Sequence, residues 1–512
     1  MPPIDRAALG VANATILPWG ILMNRKLFFA FTLFAVFLSS CSGVKTQPCV
    51  VNCVVNGNAN VTLTLFDAPP AGTSFITLNM PISLITLTPT TGADVNLLST
   101  PTTFELTRLQ SDSSMIGTFQ VPAGTYTKLN IFETNSPSGV WLNNSGATII
   151  GCNTATICNF AGSAQGQLSI DLTKVAGLSA QGLVVTSAQN TALGIEINLN
   201  TALTATGGLS FDLKQVGALT AVALPRTGQA SGTVDTVEDF LGKVTAVSAG
   251  KITLQNNAGV TLVGTTSNST TFDAPPPPVG GAAAGCGGNF NAACVAVGQT
   301  LSVDGTVAAT GAVTLTNVDF LDIPASDEVQ GTIFFTSTPG KFLLVVNDKI
   351  QTSTNALLTP IGAGFTVNVT LDPVATFAVD TSNLGISQTP VGFQAPTDIE
   401  NGQNVLVHVK STSQTTLVNI LADRVVLRFS RVTGTVNTIS GNVFKIQNIQ
   451  SFFGTPLLPP GVQTFVPQTT FDNATGGTIN GLTVGDSVSI RALLLNPILV
   501  QQPFLAANVR KH

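Results

Sequence analysis

Hydrophobic and polar residues alternate along most of this chain with a period of two. Val61-Thr62-Leu63-Thr64-Leu65-Phe66 places Val61, Leu63 and Leu65 on one face. Asp67-Ala68-Pro69-Pro70 ends that run, because proline cannot donate to a ladder and restricts the residue before it. Similar runs recur at 74–78, 82–87, 103–109, 115–121 and 126–132, then at 168–172, 183–186, 193–199 and 209–213. Turn formers such as Pro122-Ala123-Gly124 separate them. No segment holds a helical period with convincing caps, and only 173–183 suggests a short helical turn. The pattern predicts strands, and residues 58–225 read as a two-sheet β-sandwich.

Beyond the sandwich the pattern repeats. Gly242-Lys243-Val244 with Gly250-Lys251-Ile252 corresponds to Gly331-Thr332-Ile333 with Gly340-Lys341-Phe342, and again to Gly434-Thr435-Val436 with Gly441-Asn442-Val443. Each copy then carries a Thr-Phe pair, at Thr271-Phe272, Thr376-Phe377 and Thr470-Phe471. Each next carries a glycine turn before an alternating strand, at Gly298, Gly402 and Gly485, where positive φ suits glycine. A unit of five or six strands loses its edges by closing into a barrel. Residues 230–323, 327–429 and 430–512 therefore read as three small OB-like barrels, with an insertion at 274–288 in the first.

One stretch breaks the alternation. Met23–Cys41 (MNRKLFFAFTLFAVFLSSC) has a basic head, an apolar run from Leu27 to Leu38 interrupted only by Thr32, and small residues before a cysteine. That is the layout of an export signal, too short for a core that needs about 20 residues to cross. Residues 1–22 fit no part of it and read as an upstream extension, so residues 1–40 stand outside the fold, with the signal at 23–40. Leu38-Ser39-Ser40-Cys41 resembles the lipobox of bacterial lipoproteins, which implies lipidation of Cys41, a tether over 41–57, and, with Ser42 next, sorting to the outer membrane.

Two further resemblances follow from motifs already quoted. The strand exit FDAPP, the segment VPAGTYTKLNI and the later GIEINLNTAL resemble the bacterial family numbered domain of unknown function 4382, which implies a transthyretin-like sandwich on a lipoprotein; Phe66-Asp67 stands where that family usually has Thr-Asp. The three repeats resemble the family numbered domain of unknown function 5666. Neither resemblance implies an activity.

Composition narrows the chemistry. Charged residues are 9% of the chain, and the net charge of −5 supplies no basic field for nucleic acid. Aromatic content is 29 Phe against 1 Tyr and 2 Trp, which favours cores over wet recognition platforms. Beyond Cys41, the cysteines pair by proximity as Cys49 with Cys53, Cys152 with Cys158, and Cys286 with Cys294. Local disulfides in an oxidising compartment are the simplest reading, with no histidine near any pair to suggest zinc.

Histidine chemistry lacks parts. His408 sits inside the alternating strand Val405–Val409, expected to face solvent, and His512 is terminal. Carboxylates gather at Asp235, Glu238 and Asp239, at Asp319, Asp322, Asp327 and Glu328, and at Asp398 and Glu400. They read as strand-end turn formers, with a structural calcium ion as the cofactor such loops could hold; no other cofactor or metal is implied. Asp67 and Trp141 are the candidate ligand-binding residues, Asp67 as a rim ligand or turn former and Trp141 as a sugar-stacking or packing residue. Arg424, Arg428, Arg431, Arg491, Arg510 and Lys511 gather near the last repeat and suggest at most a patch for acidic groups or lipid headgroups.

The expectation is an all-β, non-enzymatic protein of the cell envelope, anchored to membrane by its N-terminal lipid and carrying its barrels outward. Its role would be structural or would bind an extracellular polysaccharide or protein, without nucleic acid. The alternative is a carbohydrate-binding surface lipoprotein that uses the sandwich.

Overall fold

Strands built from the alternating runs dominate the computed structural model, which describes residues 57–512 apart from 69–74, 112, 144–155, 188, 205–208, 226–231, 258, 274–289, 322–325, 383, 387–389, 454–458 and 499. The leader, Cys41, Cys49 and Cys53 lie outside the described residues.

The first module is an all-β sandwich with one departure from the expected two sheets. Asn58–Ala68 runs parallel to Asn190–Asn198 and antiparallel to Ser114–Pro122, in a four-stranded sheet completed by Leu219–Ala223. Opposite it, the chain from Phe75 bends at Ser83, so Phe75–Ile82 and Leu84–Pro89 belong to two different sheets. Three sheets thus enclose one core, where Leu63 and Leu65 meet Leu78, Ile85, Leu129 and Ile195. The other face of the first strand is buried too. Thr62 is fully covered, and its hydroxyl meets those of Thr118 at 3.0 Å and the Ala309 carbonyl of the first repeat at 3.3 Å. The expected strand 103–109 is a strand only over Thr102–Glu105. Leu106–Gln110 coils into a 3₁₀ turn because the Glu105 carboxylate accepts the Thr107 and Arg108 amides.

The three repeats share one pairing scheme. In the second, five strands close a ring in the order Glu328–Thr338, Lys341–Ile350, Thr366–Val379, Val418–Arg428, Asn404–Gln414, with the third and fourth of these parallel. In the first repeat, a parallel bridge from Gly264 and Thr265 to Val313 and Thr314 completes an equivalent ring. In the third, Val462–Thr464 beside Phe504–Ala506 does the same. The Thr-Phe landmarks occupy one register position: Phe272 opposite Val318, Phe377 opposite Val425, and Phe471 opposite Val509. Gly298, Gly402 and Gly485 have φ of 95°, 88° and 97°, so the repeated turn glycines are required by backbone conformation. The opening glycines serve close approach instead, since a Cβ on Gly331 would overlap the Val345 carbonyl oxygen of the neighbouring strand.

The repeats do not extend outward from the sandwich as expected. Asn56–His512 forms one compact unit, and each repeat touches the sandwich. Val345 of the second and Phe452 of the third pack with Ile76, Val140 and Leu142 of the sandwich. Leu241 and Leu321 of the first repeat pack with Ile350, Ala378, Leu406 and Val426 of the second. Ring residues that alternation places outward are therefore covered by another ring.

These contacts set the cost of two glycine substitutions. Gly331→Ala should lower stability by about 1–3 kcal/mol by forcing two strands apart. Gly441→Ala, at φ 58° with open space around it, should cost about 1 kcal/mol from backbone conformation alone. Urea unfolding midpoints of the two variants check the order.

Candidate functional site

The strand Thr233–Ser248 opens the first repeat and carries the feature on which the others converge. Its pairing with Thr300–Ala308 slips between Val237 and Phe240, so Glu238 and Asp239 together stand opposite one residue. Asp239 adopts φ 51°, a left-handed conformation that aspartate tolerates better than most residues. Its amide donates to Asp304 Oδ1 at 2.6 Å, which holds the bulge. The bulge turns the Asp239 carboxylate out of its own ring and into the junction.

Three arginines from beyond the first repeat meet it there. Arg491 binds it with two nitrogens, Nε to Oδ2 at 3.0 Å and Nη2 to Oδ1 at 2.8 Å. Arg431 Nη2 donates to Oδ2 at 2.8 Å, and Arg428 Nη2 lies 3.5 Å from Oδ1. Arg428 also donates from Nη1 to Asp319 at 3.1 Å and from Nη2 to the Ser302 hydroxyl at 2.9 Å, while Asp380 Oδ2 lies 2.7 Å from Nη1. The Arg491 guanidinium stacks over the Phe429 ring at 3.9 Å. Arg428-Phe429-Ser430-Arg431 is the link between the second and third repeats, and Phe429 and Ser430 are buried, so this link is part of the joint.

Burial by itself would raise the Asp239 pKa, but Arg491, Arg431 and Arg428 outweigh it and hold the carboxyl well below the usual range. Five carboxyl groups, on Glu238, Asp239, Asp304, Asp319 and Asp380, face the three guanidiniums. Burial, then the Asp380 charge, pushes Asp319 well above the ordinary carboxylate range, with Arg428 opposing. Asp304 is raised by burial as well.

The gathered arginines are thus not a surface patch. Arg424 pairs with Glu328 inside the second repeat, both fully buried. Arg510, 1% exposed, returns from the last strand to the sandwich, where Nη2 donates to the Ser113 hydroxyl at 3.1 Å. Lys511, partly exposed, pairs with Asp486 at 2.8 Å. His408 is only 15% exposed in its side chain, and its Nδ1 lies 2.5 Å from Asp423 Oδ1, so the expected solvent-facing histidine is covered and paired.

The other candidates from the sequence fall apart in space. Asp67 is fully buried at the end of its strand; burial drives its pKa well up, the Leu199 amide being the main counterweight. Trp141 is 8% exposed, lies in the sandwich core and pairs across strands with Phe75 and Cys158, so it turns no open ring face to solvent. Asp67 and Trp141 stand on strands of different sheets. Asp327 accepts the Thr352 and Ser353 amides, and Asp398 accepts those of Gln394 and Ala395, as turn formers do. Asp322, Cys152 and Cys286 lie outside the described residues; Cys158 is half-buried and Cys294 buried. Among the described residues no group of three or more His, Cys, Asp or Glu side chains is placed to hold a metal ion.

Beside the joint opens a cleft of about 590 Å³ walled by the sandwich and the first two repeats. Arg108 crosses it from the sandwich, with Nη1 3.8 Å from Asp348 Oδ2 of the second repeat. Asn257 of the first repeat donates to the same Asp348 at 2.6 Å. The sequence held one sign of this site: in Thr236-Val237-Glu238-Asp239-Phe240 two adjacent acids break the alternation where the bulge forms. No family model matches the chain, and no curated protein matches its sequence.

Asp239→Asn removes the charge that three buried guanidiniums share, and should cost about 3–5 kcal/mol by urea unfolding. The stability Asp239 supplies is fully present above its ordinary pKa and is lost as pH falls through its depressed folded value. The variant should therefore show a shallower acid limb. Glu133 behaves oppositely: burial pushes it from 4.5 up to about 7, with the Gln165 amide opposing. Its contribution is fully present below its ordinary pKa and is lost as pH rises to about 7, so Glu133→Gln should gain stability over wild type across that window.

Proposed function

We propose that this chain is a non-enzymatic, lipid-anchored protein of the cell envelope, sorted to the outer membrane, whose folded body binds an extracellular partner or serves as structure. The observation that carries the reading is Leu38-Ser39-Ser40-Cys41 after a basic head and an apolar run, the layout on which a lipid is attached to the cysteine thiol. The all-β body supports it through the use of its ionisable groups. Arg428, Arg431 and Arg491 are engaged with carboxylates between modules and stabilise their joint, while Arg424 pairs with Glu328 within the second repeat. The two resemblances, to the domains of unknown function 4382 and 5666, belong to the same reading.

The remaining cysteines fit it as local disulfides, Cys49–Cys53, Cys152–Cys158 and Cys286–Cys294. Bridges over loops this short contribute about 2 to 2.5 kcal/mol each in a chain-entropy account and pin loops without holding the modules together.

Growth of the producing cells with labelled palmitate should mark the wild-type protein, and Cys41→Ser should abolish the label and release the protein from the membrane fraction. An unlabelled wild-type protein recovered in the cytosol would end this reading. In denaturant without reductant the six cysteines after Cys41 should give no thiol signal.

A further inference from the structure

We propose that the cleft between the sandwich and the first two repeats is a binding site for a neutral oligosaccharide. This deepens the binding role above and rests on it, but it concerns the folded body and not the anchor. A volume of about 590 Å³ lies within the range of about 300–1,000 Å³ over which proteins enclose organic ligands.

The charges around the cleft are already engaged with one another. Glu105 accepts the Leu78, Thr107 and Arg108 amides; Arg108 faces Asp348; Glu238 lies 3.4 Å from Arg491. Lys349 gives its ammonium to the Leu358 and Thr359 carbonyls, both at 2.7 Å. Apart from the Arg108 guanidinium, whose Nη1 stays 3.8 Å from Asp348, these charged groups have closer partners within the protein. What the walls offer instead are groups that both donate and accept: Asn79, Thr103, Ser114 and Ser138 from the sandwich, Asn257 from the first repeat and Asn347 from the second.

Phe240, half-buried and set at the end of the bulge, supplies an apolar surface for the C–H face of a sugar ring.

A second cleft of about 610 Å³ continues along the seam between the first two repeats, and shares Leu241, Asn257 and Lys349 with the first. It carries Gln255, Gln299, Thr300 and Gln351, the same amide and hydroxyl chemistry. The continuity suits a chain of sugars over a single ring. A peptide fits less well: the repeat walls come from closed rings whose backbone groups already pair, and the edge strand that the sandwich presents is only Thr102–Glu105.

Calorimetric titration of the full chain with neutral hexasaccharides (α- and β-1,4-glucan, xylan, mannan and chitin types), with oligogalacturonate and with a hexapeptide pool tests this. At least one neutral hexasaccharide should bind with Kd below about 1 mM, and both Ser138→Trp and Phe240→Ala should weaken it about tenfold or more. Ser138 is exposed at the rim, so an unchanged melting temperature in Ser138→Trp separates blocked binding from misfolding. Absence of neutral saccharide binding, affinity unmoved by Ser138→Trp, or preference for oligogalacturonate or peptide would overturn the proposal. Saccharide binding by a protein that takes up no palmitate would leave the cleft standing and remove the anchor.

Discussion

The arrangement of this molecule depends on a charge that is expensive to bury. Taking Asp239 and three guanidiniums out of water carries a desolvation penalty of several kcal/mol per ion, recovered only where geometry is good. Here Arg491 binds both carboxylate oxygens, Arg431 adds a third short bond, and the Phe429 ring lies against the Arg491 cation. Apolar seams such as Leu241 against Leu406 tolerate sliding; a two-pronged arginine on a carboxylate does not. The joint therefore fixes how the rings are oriented, and the apolar contacts lie beside it.

That division has a structural consequence. The link between the second and third repeats is buried between Arg428 and Arg431, both engaged with the first repeat, so three rings share one ionic node. Arg510 then ties the last strand to the sandwich. A chain whose pattern suggests modules on a string is drawn into one body, and the clefts exist only because the modules are held at fixed separations. The strained Asp239 backbone fits this account: a left-handed non-glycine residue persists where its surroundings over-determine it.

Much of the internal construction of each ring is readable from residues alone. The Thr-Phe pairs mark one register position in three rings, and Gly298, Gly402 and Gly485 mark one turn, because a strand's period and a turn's φ are local properties. Local rules also mislead in particular places. Thr103–Leu109 alternates like a strand, yet Glu105 captures two amides and starts a 3₁₀ turn. His408 alternates outward and is nonetheless largely covered and paired, because Asp423 on the neighbouring strand of its own ring meets its imidazole.

What the sequence determined by itself is the class of each described segment: a strand-built sandwich and three repeated barrels with their turns. Those features arise from hydrophobic period, turn chemistry and repetition, which act over a few residues. Only the tertiary structure decided that Asp239 would meet Arg491, 252 positions away, that the arginines would be internal, and that a cleft would open beside Arg108. The physical reason is that a charge selects its partner by distance in space, and the outer faces of these rings show no pattern that says which other ring will cover them.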